Sequence, residues 1–247
     1  MHRSSFIVHR SSFVVPMRHR IFIDVIAPEV KVTGDEFHHS IRVVRARAGE
    51  EVEVFDKSGN MARGVVASIE RDHAVIRVGE AIASRESPLT LHLAMAVIQL
   101  EKFELVLQKA TELGVRAFIP LVTERVELRP ERYTGKTERW QRIVFEAVKQ
   151  SGRSILPTIE AAAKFEDVIR RSGTKFLFDA DGSPPSTQQP GNPATLLIGP
   201  EGGWSEHEIQ LAREHGCLIE RLGPRRLRAE TAAIAAATIL AARFGDL

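Results

Sequence analysis

The stretch Leu196–Trp204, which reads LLIGPEGGW, decides the fold class of this chain. An apolar run ends there in a glycine-dense turn, and the segment Ser205–Glu208 (SEHE) follows directly. That segment is a capping box, in which the serine hydroxyl and the last glutamate carboxylate accept bonds from free backbone amides at a helix start. A buried strand, a glycine turn and a capped helix in this order are typical of α/β domains, which bind ligands at the carboxyl ends of their strands.

This glycine turn supports two interpretations. Glycine lets backbone amides approach a ligand closely, and a helix start attracts anionic groups, so the turn is a candidate ligand or phosphate site. An ordinary strand-to-helix connection is the alternative. The turn is not a Walker phosphate loop, because no Gly-Lys-Ser/Thr sequence follows it.

A second stretch, Leu222–Thr231 (LGPRRLRAET), repeats the arrangement. It follows a short apolar run and precedes a helix of small residues, which we predict at Thr231–Ala242. Two such strand ends can flank a single pocket. Because alanine permits close backbone approach, this helix is expected to pack tightly, either in the core of the subunit or across a dimer interface.

Strands and helices alternate through the second half of the chain, which predicts an α/β layered domain at residues 88–247. The polar segment Ala83–Pro88 separates this domain from the residues before it. The predicted strands are Leu91–Ile98, Ala117–Val122, Lys175–Phe178, Thr195–Ile198 and Cys217–Arg221.

Short alternating segments predict a small β-barrel domain at residues 17–84. Helical spacing of apolar residues predicts one helix at Asp35–Arg45 within it. The predicted strands are Ile21–Asp24, Glu51–Asp56, Ala62–Ile69 and Ala74–Val78.

Composition excludes several classes of protein. The 247 residues carry a formal net charge of +2 and 43% are apolar, which is ordinary for a soluble globular protein. Cys217 is the single cysteine, which excludes an internal disulfide and a cysteine-rich zinc site, and we expect it to pack in a core. No apolar run approaches the ~20 residues of a membrane span. We expect a cytoplasmic protein with no membrane partner and no metal.

Residues 1–16 contain a duplicated heptad, His2–Val8 followed by His9–Val15. So short a repeat cannot bury an apolar face by itself. Either the folded chain starts at Met17 and this leader is dispensable, or the leader is an RNA-binding arm.

Five motifs occur in one order along the chain: Gln108–Gly114 (QKATELG), Thr123–Arg125 (TER), Gln150–Arg153 (QSGR), Ile198–Gly203 (IGPEGG) and Leu222–Thr231. Together they resemble the motifs of the ribosomal RNA small-subunit methyltransferase E family of the SPOUT superfamily. The resemblance extends from Met17 to Leu247. It implies a PUA-like β-barrel RNA-binding domain followed by a SPOUT α/β domain with a C-terminal trefoil knot, acting as a homodimer.

The resemblance also implies an activity, methylation of uridine N3 in the 16S rRNA of the small ribosomal subunit, with S-adenosylmethionine as the methyl donor. Contacts from Asp179 and Ala180 are doubtful, because family members often carry a His-Pro or similar pair where this chain reads Asp-Ala-Asp. The implied cofactor-binding residues are Leu177, Phe178, Ile198, Gly199, Pro200, Glu201, Gly202, Leu222, Gly223, Leu227, Arg228 and Thr231.

Arg228, Glu230 and Glu201 are the candidate catalytic residues. The arginine can hold the uracil oxygens as negative charge develops on them, and either carboxylate can orient or accept the N3 proton. For Glu230, the alternative is a favourable charge in the first turn of a helix.

Basic residues form two candidate RNA-binding clusters, which are expected to contact phosphate unless they are merely solvated surface charges. They are Arg18, Arg20, His38, His39, Arg42, Arg45 and Arg47 near the start of the chain, and Arg125, Arg129, Arg132, Lys136 and Arg153 in the second domain. Three rival functions stay open: a SPOUT methyltransferase with another base or ribose target, a non-catalytic RNA-binding relative, and a nucleotide-binding enzyme.

Overall fold

The computed structural model describes residues 19–43 and 45–247, so the predicted leader and Arg18 lie outside the described residues. The described chain folds into two compact units. The first ends at Ile82 and leaves out residues 56–60, whereas the second holds residues 56–60 and Ala83–Leu247.

The first unit is built on a five-stranded sheet with the strand order β1-β3-β4-β5-β2. The pairings β3–β4, β4–β5 and β5–β2 are antiparallel. Along β3, Val52 and Val54 are fully buried, because alternate side chains of a strand point to the same face. The sheet encloses a single apolar core to which all five strands contribute. Its strands are β1 (His19–Ile23), β2 (Glu29–Val32), β3 (Glu51–Asp56), β4 (Met61–Ile69) and β5 (Ala74–Ile82).

The sequence predictions for this unit need two corrections. Strand β2 was missed, since its four residues carry too short an alternation to stand out. The helix predicted at Asp35–Arg45 is instead α1 (Gly34–Phe37), continued by a wider π-helical turn at His38–Val43. Side-chain bonds help to hold this segment, because the Glu36 carboxylate accepts from the Ser40 hydroxyl (2.8 Å) and from the backbone amide of β1 residue Phe22 (3.2 Å).

The second unit is an α/β domain whose seven-stranded sheet has the order β12-β10-β11-β6-β7-β8, with β9 also pairing with β7. Every pairing in this sheet is parallel. All five predicted strands are confirmed, and the two-residue strands β8 and β9 were missed. The strands are β6 (Leu91–Ala96), β7 (Val115–Val122), β8 (Thr158–Ile159), β9 (Ala163–Lys164), β10 (Thr174–Ser183), β11 (Ala194–Ile198) and β12 (Leu218–Glu220).

Helices cover both faces of this sheet. The helices are α2 (Leu100–Glu112), α3 (Thr137–Ser151), α4 (Phe165–Ile169), α5 (Glu206–Glu214) and α6 (Ala229–Phe244). Helices α2, α3 and α6 share one core with Leu93 and Met95 of β6, whereas α4 and α5 share another with the intervening Ala94. This alternation is what a strand buried on both faces requires. No helix among the described residues is long and apolar enough to cross a membrane.

The predicted capping box fixes the start of α5. The Ser205 hydroxyl accepts from the Glu208 amide (3.1 Å), and the Glu208 carboxylate accepts from the Ser205 amide (2.8 Å). The other oxygen of that carboxylate accepts from the amide of Glu124, in the turn after β7, at 3.0 Å. The buried Glu208 side chain therefore connects the end of the glycine turn after β11 to the turn after β7, two strands away in the sheet.

Candidate active site

A cleft of about 740 Å³ opens where the pairing of β10 with β11 ends, at Phe178 and Ile198. Its walls come from the middle of β10, from the turns after β11 and β12, and from the starts of α2 and α6. The two turns singled out from the sequence therefore flank one pocket, as their positions at parallel strand ends predict.

Most of the cofactor-binding residues implied by the sequence line this cleft: Phe178, Ile198, Gly199, Pro200, Glu201, Gly202, Leu222, Gly223, Leu227 and Arg228. Leu177 is fully buried and packs in a core with Leu197 and Trp204, because it faces the side of the sheet opposite to Phe178. Thr231 is exposed and is not part of the cleft lining.

Other lining residues were missed by the sequence reasoning. Asp179 and Ala180, whose contribution was doubted, are part of the wall. Gln99 and Lys102 come from the start of α2, which carries no motif signal for a ligand. The remaining missed residues are Gly203, Trp204, Arg225, Arg226, Ala229 and Ala232.

Trp204 links the turn after β11 to strand β10. Its indole nitrogen donates a hydrogen bond of 3.0 Å to the backbone oxygen of Phe178, the last residue of β10 that pairs with β11. A Cβ atom on Gly199 would lie 3.0 Å from the Trp204 ring, so the chain approaches the indole where only glycine fits without displacement. The Trp204 ring also packs against the ring of Phe165 on α4, with the two ring centroids 5.2 Å apart.

Lys102 brings the two candidate catalytic carboxylates together. Its Nζ donates to Oε1 of Glu201 at 2.9 Å and lies 4.0 Å from Oε1 of Glu230. The hydrogen bond and charge of Lys102, with the charge of Arg228, hold the pKa of Glu201 below its usual value. The second oxygen of Glu230 is buried and has no hydrogen-bond partner among the described residues.

Exposed arginines surround the cleft. Arg225, Arg226 and Arg228 lie on the turn after β12, and all three are exposed. Arg125 is also exposed, and its Nη1 donates to the backbone oxygen of Gly202 at 3.1 Å. The rim therefore carries concentrated positive charge, which suits a phosphate-bearing ligand.

The basic residues predicted in the first unit occupy different environments. His38, Arg45 and Arg47 are exposed and His39 is half-buried. The Arg20 side chain is only 7% exposed, with its Nε 3.4 Å from Oε2 of Glu53 and its guanidinium 4.5 Å from the Phe55 ring centre. The side chain of Arg42 lies outside the described part of the chain.

Arg153 is the clearest departure from the RNA-binding expectation. It is 4% exposed, and its Nη1 donates to the backbone oxygens of Thr111 and Val115, both at 2.8 Å. Its Nε and Nη2 donate to the Glu86 carboxylate, the latter at 2.7 Å. Because these donors are used inside the domain, the geometry assigns Arg153 a structural role.

Neither the cysteine nor a metal cluster contributes a reactive centre among the described residues. Cys217 is mostly buried, its thiol donates to the Lys175 backbone oxygen at 3.3 Å, and burial raises its pKa to about 12. Such a thiol has little thiolate near neutral pH. No group of three or more His, Cys, Asp or Glu side chains within residues 19–43 and 45–247 is arranged to hold a metal ion.

Comparison with known proteins bears on this site directly. Residues 85–241 match the RNA methyltransferase domain, and residues 32–79 match the RNA methyltransferase PUA domain. The chain is 36% identical over 239 residues to the Ribosomal RNA small subunit methyltransferase E of Synechocystis sp., covering 90% of this chain and 76% of the relative. This chain belongs to the ribosomal RNA small subunit methyltransferase E family.

A solved member of the ribosomal RNA small subunit methyltransferase E family, from Neisseria gonorrhoeae, is bound to S-adenosylmethionine. It is 28% identical, has a TM-score of 0.85, and matches 93% of this chain and 99% of its own. A Legionella pneumophila structure with bound S-adenosylmethionine is 32% identical, with a TM-score of 0.81 and coverage of 93% and 99%. The expected fold, a PUA-like β domain followed by an α/β methyltransferase domain, is confirmed.

Proposed function

We propose that this protein methylates N3 of a uridine in the 16S rRNA of the small ribosomal subunit, with S-adenosylmethionine as the methyl donor. The observation that carries the proposal is the cleft at the glycine turn, in a chain that matches a family member solved with this cofactor over 93% of its length. In this assignment residues 17–84 form the RNA-binding domain and residues 88–247 the methyltransferase domain.

The residues of the cleft fit this cofactor. A volume of about 740 Å³ lies within the usual ~300–1,000 Å³ of small-molecule sites. Ile198, Leu222 and Leu227 offer apolar surface to an adenine ring, and the glycines at 199, 202 and 223 leave backbone groups accessible to its polar edges. When bound, the cofactor supplies an electrophilic methyl carbon.

The chain's own residues must position the uracil ring and handle its N3 proton. In-line placement of a nucleophile can contribute ~7 kcal/mol or more to lowering a barrier. Arg228, exposed at the cleft wall, is suited to hold the uracil oxygens as negative charge develops on them. A carboxylate at the cleft orients and accepts the N3 proton, and both Glu201 and Glu230 lie within reach of the same lysine.

RNA is held by two sets of exposed cations. Arg125, Arg225 and Arg226 surround the cleft, where phosphates next to the target nucleotide would lie. In the first unit, His38, Arg45 and Arg47 provide a further surface for phosphate contact. A target uridine inside a stacked helix has to be flipped out for its N3 to enter the cleft.

The assembly proposed is a homodimer in the cytoplasm, where small ribosomal subunits are available. Helix α6 supports a dimer, because Ile234, Ala235 and Ile239 remain partly exposed beside fully buried alanines. A helix with small apolar side chains on its open face permits close packing against a second copy. Sedimentation of the purified protein tests this assembly, and a single monomeric species would contradict it.

Methyl transfer to purified small subunits tests the activity. Subunits from a strain that lacks this enzyme are incubated with the protein and tritiated S-adenosylmethionine, and the RNA is digested to nucleosides. Labelled 3-methyluridine is the expected product. Label in another base or in ribose would assign a different target, and cofactor binding without transfer would indicate a non-catalytic relative.

A further inference from the structure

Lys102 occupies a position that local helix energetics disfavour. It is the third residue of α2, in a first turn where the partial positive charge of the helix dipole opposes a cation. Residues that break a local rule while satisfying a tertiary one tend to lie at functional sites. The tertiary partners here are Glu201 on the turn after β11 and Glu230 at the start of α6.

The side chains of Glu230, Lys102 and Glu201 are increasingly exposed, in that order. The Glu230 side chain is 13% exposed, that of Lys102 23% and that of Glu201 58%. Lys102 and Glu201 line the cleft. One oxygen of Glu230 is shielded from solvent and Glu230 is not part of the cleft lining, whereas Glu201 lines the cleft and is accessible to a substrate there.

We infer that Lys102 is a positioning residue, anchored from behind by Glu230, which holds the Glu201 carboxylate where it meets the N3–H group of the uridine. This inference rests on the proposed function. It selects Glu201 over Glu230 as the proton acceptor, and it adds a residue that no motif in the sequence indicated.

The chemistry is balanced with these groups. The N3 lone pair forms the new N–C bond while the S–C bond of the donor breaks, and its electron pair stays on sulfur as a neutral thioether. The N3–H proton passes to a Glu201 oxygen and from there to water. A nitrogen that carries both the incoming methyl and a proton is strongly acidic, so a carboxylate that is ionised at neutral pH is an adequate acceptor.

If the Lys102–Glu201 ion pair served only to stabilise the fold, its loss would not lower the turnover of the folded protein. Glu201 is mostly exposed, and exposed ion pairs contribute little to stability. Loss of Lys102 also removes the cation beside the part-buried Glu230, so turnover is compared at temperatures well below the Tm of each variant, where a fall in turnover is not explained by unfolding.

The test compares Lys102→Met and Lys102→Arg with wild type, measuring kcat and KM on small subunits, the Kd of S-adenosylmethionine by calorimetry, and Tm. Lys109→Met is the matched control, because Lys109 lies on the same helix and pairs with Glu112 at 2.9 Å. We expect Lys102→Met to lower kcat by about 100-fold while the cofactor Kd changes less than about threefold. The arginine variant should recover most of that loss, and Lys109→Met should resemble wild type.

Coupling between the residues completes the test. Glu201→Gln should lower kcat at least as much as Lys102→Met, and the double variant should lose little more than Glu201→Gln alone. Additive losses, an unchanged kcat in Lys102→Met, or a parallel loss of cofactor binding would each overturn the inference. Absence of 3-methyluridine from the wild-type reaction would instead overturn the proposed function itself.

Discussion

The indole nitrogen of Trp204 donates a hydrogen bond of 3.0 Å to the backbone oxygen of Phe178, which joins the turn after β11 to the middle of β10. Both residues line the cofactor cleft, and the bond is buried. The shape of the cleft thus depends on a polar contact between the turn after β11 and the neighbouring strand β10.

Replacing Trp204 with Phe should destabilise the protein by about 1–3 kcal/mol, because it leaves a buried backbone acceptor without its donor. Urea unfolding measures the change. Trp140→Phe is the control, since Trp140 is equally buried but its indole nitrogen has no hydrogen-bond partner among the described residues. Equal losses in the two variants would show that ring volume, not the hydrogen bond, determines the effect.

Replacing Gly199 with Ala should weaken cofactor binding by about tenfold or more, because the new methyl group meets the Trp204 ring at 3.0 Å and the turn or the ring has to shift. Calorimetry with S-adenosylmethionine measures the affinity. Gly135→Ala provides the comparison, since no atom lies within 4 Å of a Cβ built there. Wild-type affinity in Gly199→Ala would mean that the turn adjusts at no cost.

Glu86 should make stability depend on acid pH. Burial acts to raise its pKa, but the hydrogen bond and charge of Arg153 and the amides of Ile155 and Ser154 outweigh burial and hold the pKa below its usual value. A carboxyl with a lowered folded-state pKa contributes stability above its unfolded pKa, and that contribution is lost as pH falls through the folded pKa.

Glu86→Gln should therefore cost about 1.5–3 kcal/mol at neutral pH and less as pH falls below the unfolded value near 4.5. Denaturant unfolding across the acid range measures both effects. Glu146→Gln, an exposed change on α3, serves as reference. A constant difference between wild type and Glu86→Gln at all pH values would contradict the assignment.

In the plot of kcat against pH, Lys102→Met should also move the acidic limb to higher pH. Lys102 and Arg228 are the charges that lower the pKa of Glu201, so without the lysine that pKa rises towards its ordinary value. Glu201 is then protonated, and inactive as an acceptor, at pH values where the wild type still works. An unshifted acidic limb would argue that another group accepts the proton.

Arg225→Ala and Arg226→Ala should weaken RNA binding and reduce its salt dependence by about 0.7–0.9 in the log–log slope for each phosphate contact removed. Filter binding to the ribosomal RNA fragment at several salt concentrations gives the slope. Arg213→Ala changes an equally exposed arginine on α5 and should leave the slope unaltered. Cofactor affinity tests whether the cleft itself survives the replacements.

Local signals in the sequence predicted the fold well. The start of α5 was correct because a capping box involves bonds between neighbours only, as the Ser205 and Glu208 pair shows. The helix at Asp35–Arg45 was predicted too long, since apolar spacing does not distinguish an α-helix from the wider turn that His38–Val43 adopts. The knot and the dimer stay predictions.

The sequence could indicate residues of the cleft only where they belong to a recognisable motif. The glycine turns and Arg228, which the motifs indicate, line the cleft, whereas Lys102 and Gln99 join it through tertiary placement that no local pattern records. Arg153 was assigned to RNA binding because a sequence shows a charged residue without showing its partners. In the structure its guanidinium donates to Glu86 and to two backbone oxygens.

The Glu208 carboxylate connects the glycine turn of the cleft to a segment outside it. It accepts hydrogen bonds from the turn after β7 and from the start of α5. Arg125, on the turn after β7, donates in return to the backbone oxygen of Gly202. Side chains from both sides therefore connect the turn after β7 to the segment that follows β11. If RNA contacts Arg125 as proposed, that contact reaches the glycine turn of the cleft through a single hydrogen bond, so RNA binding and cofactor binding are expected to be coupled.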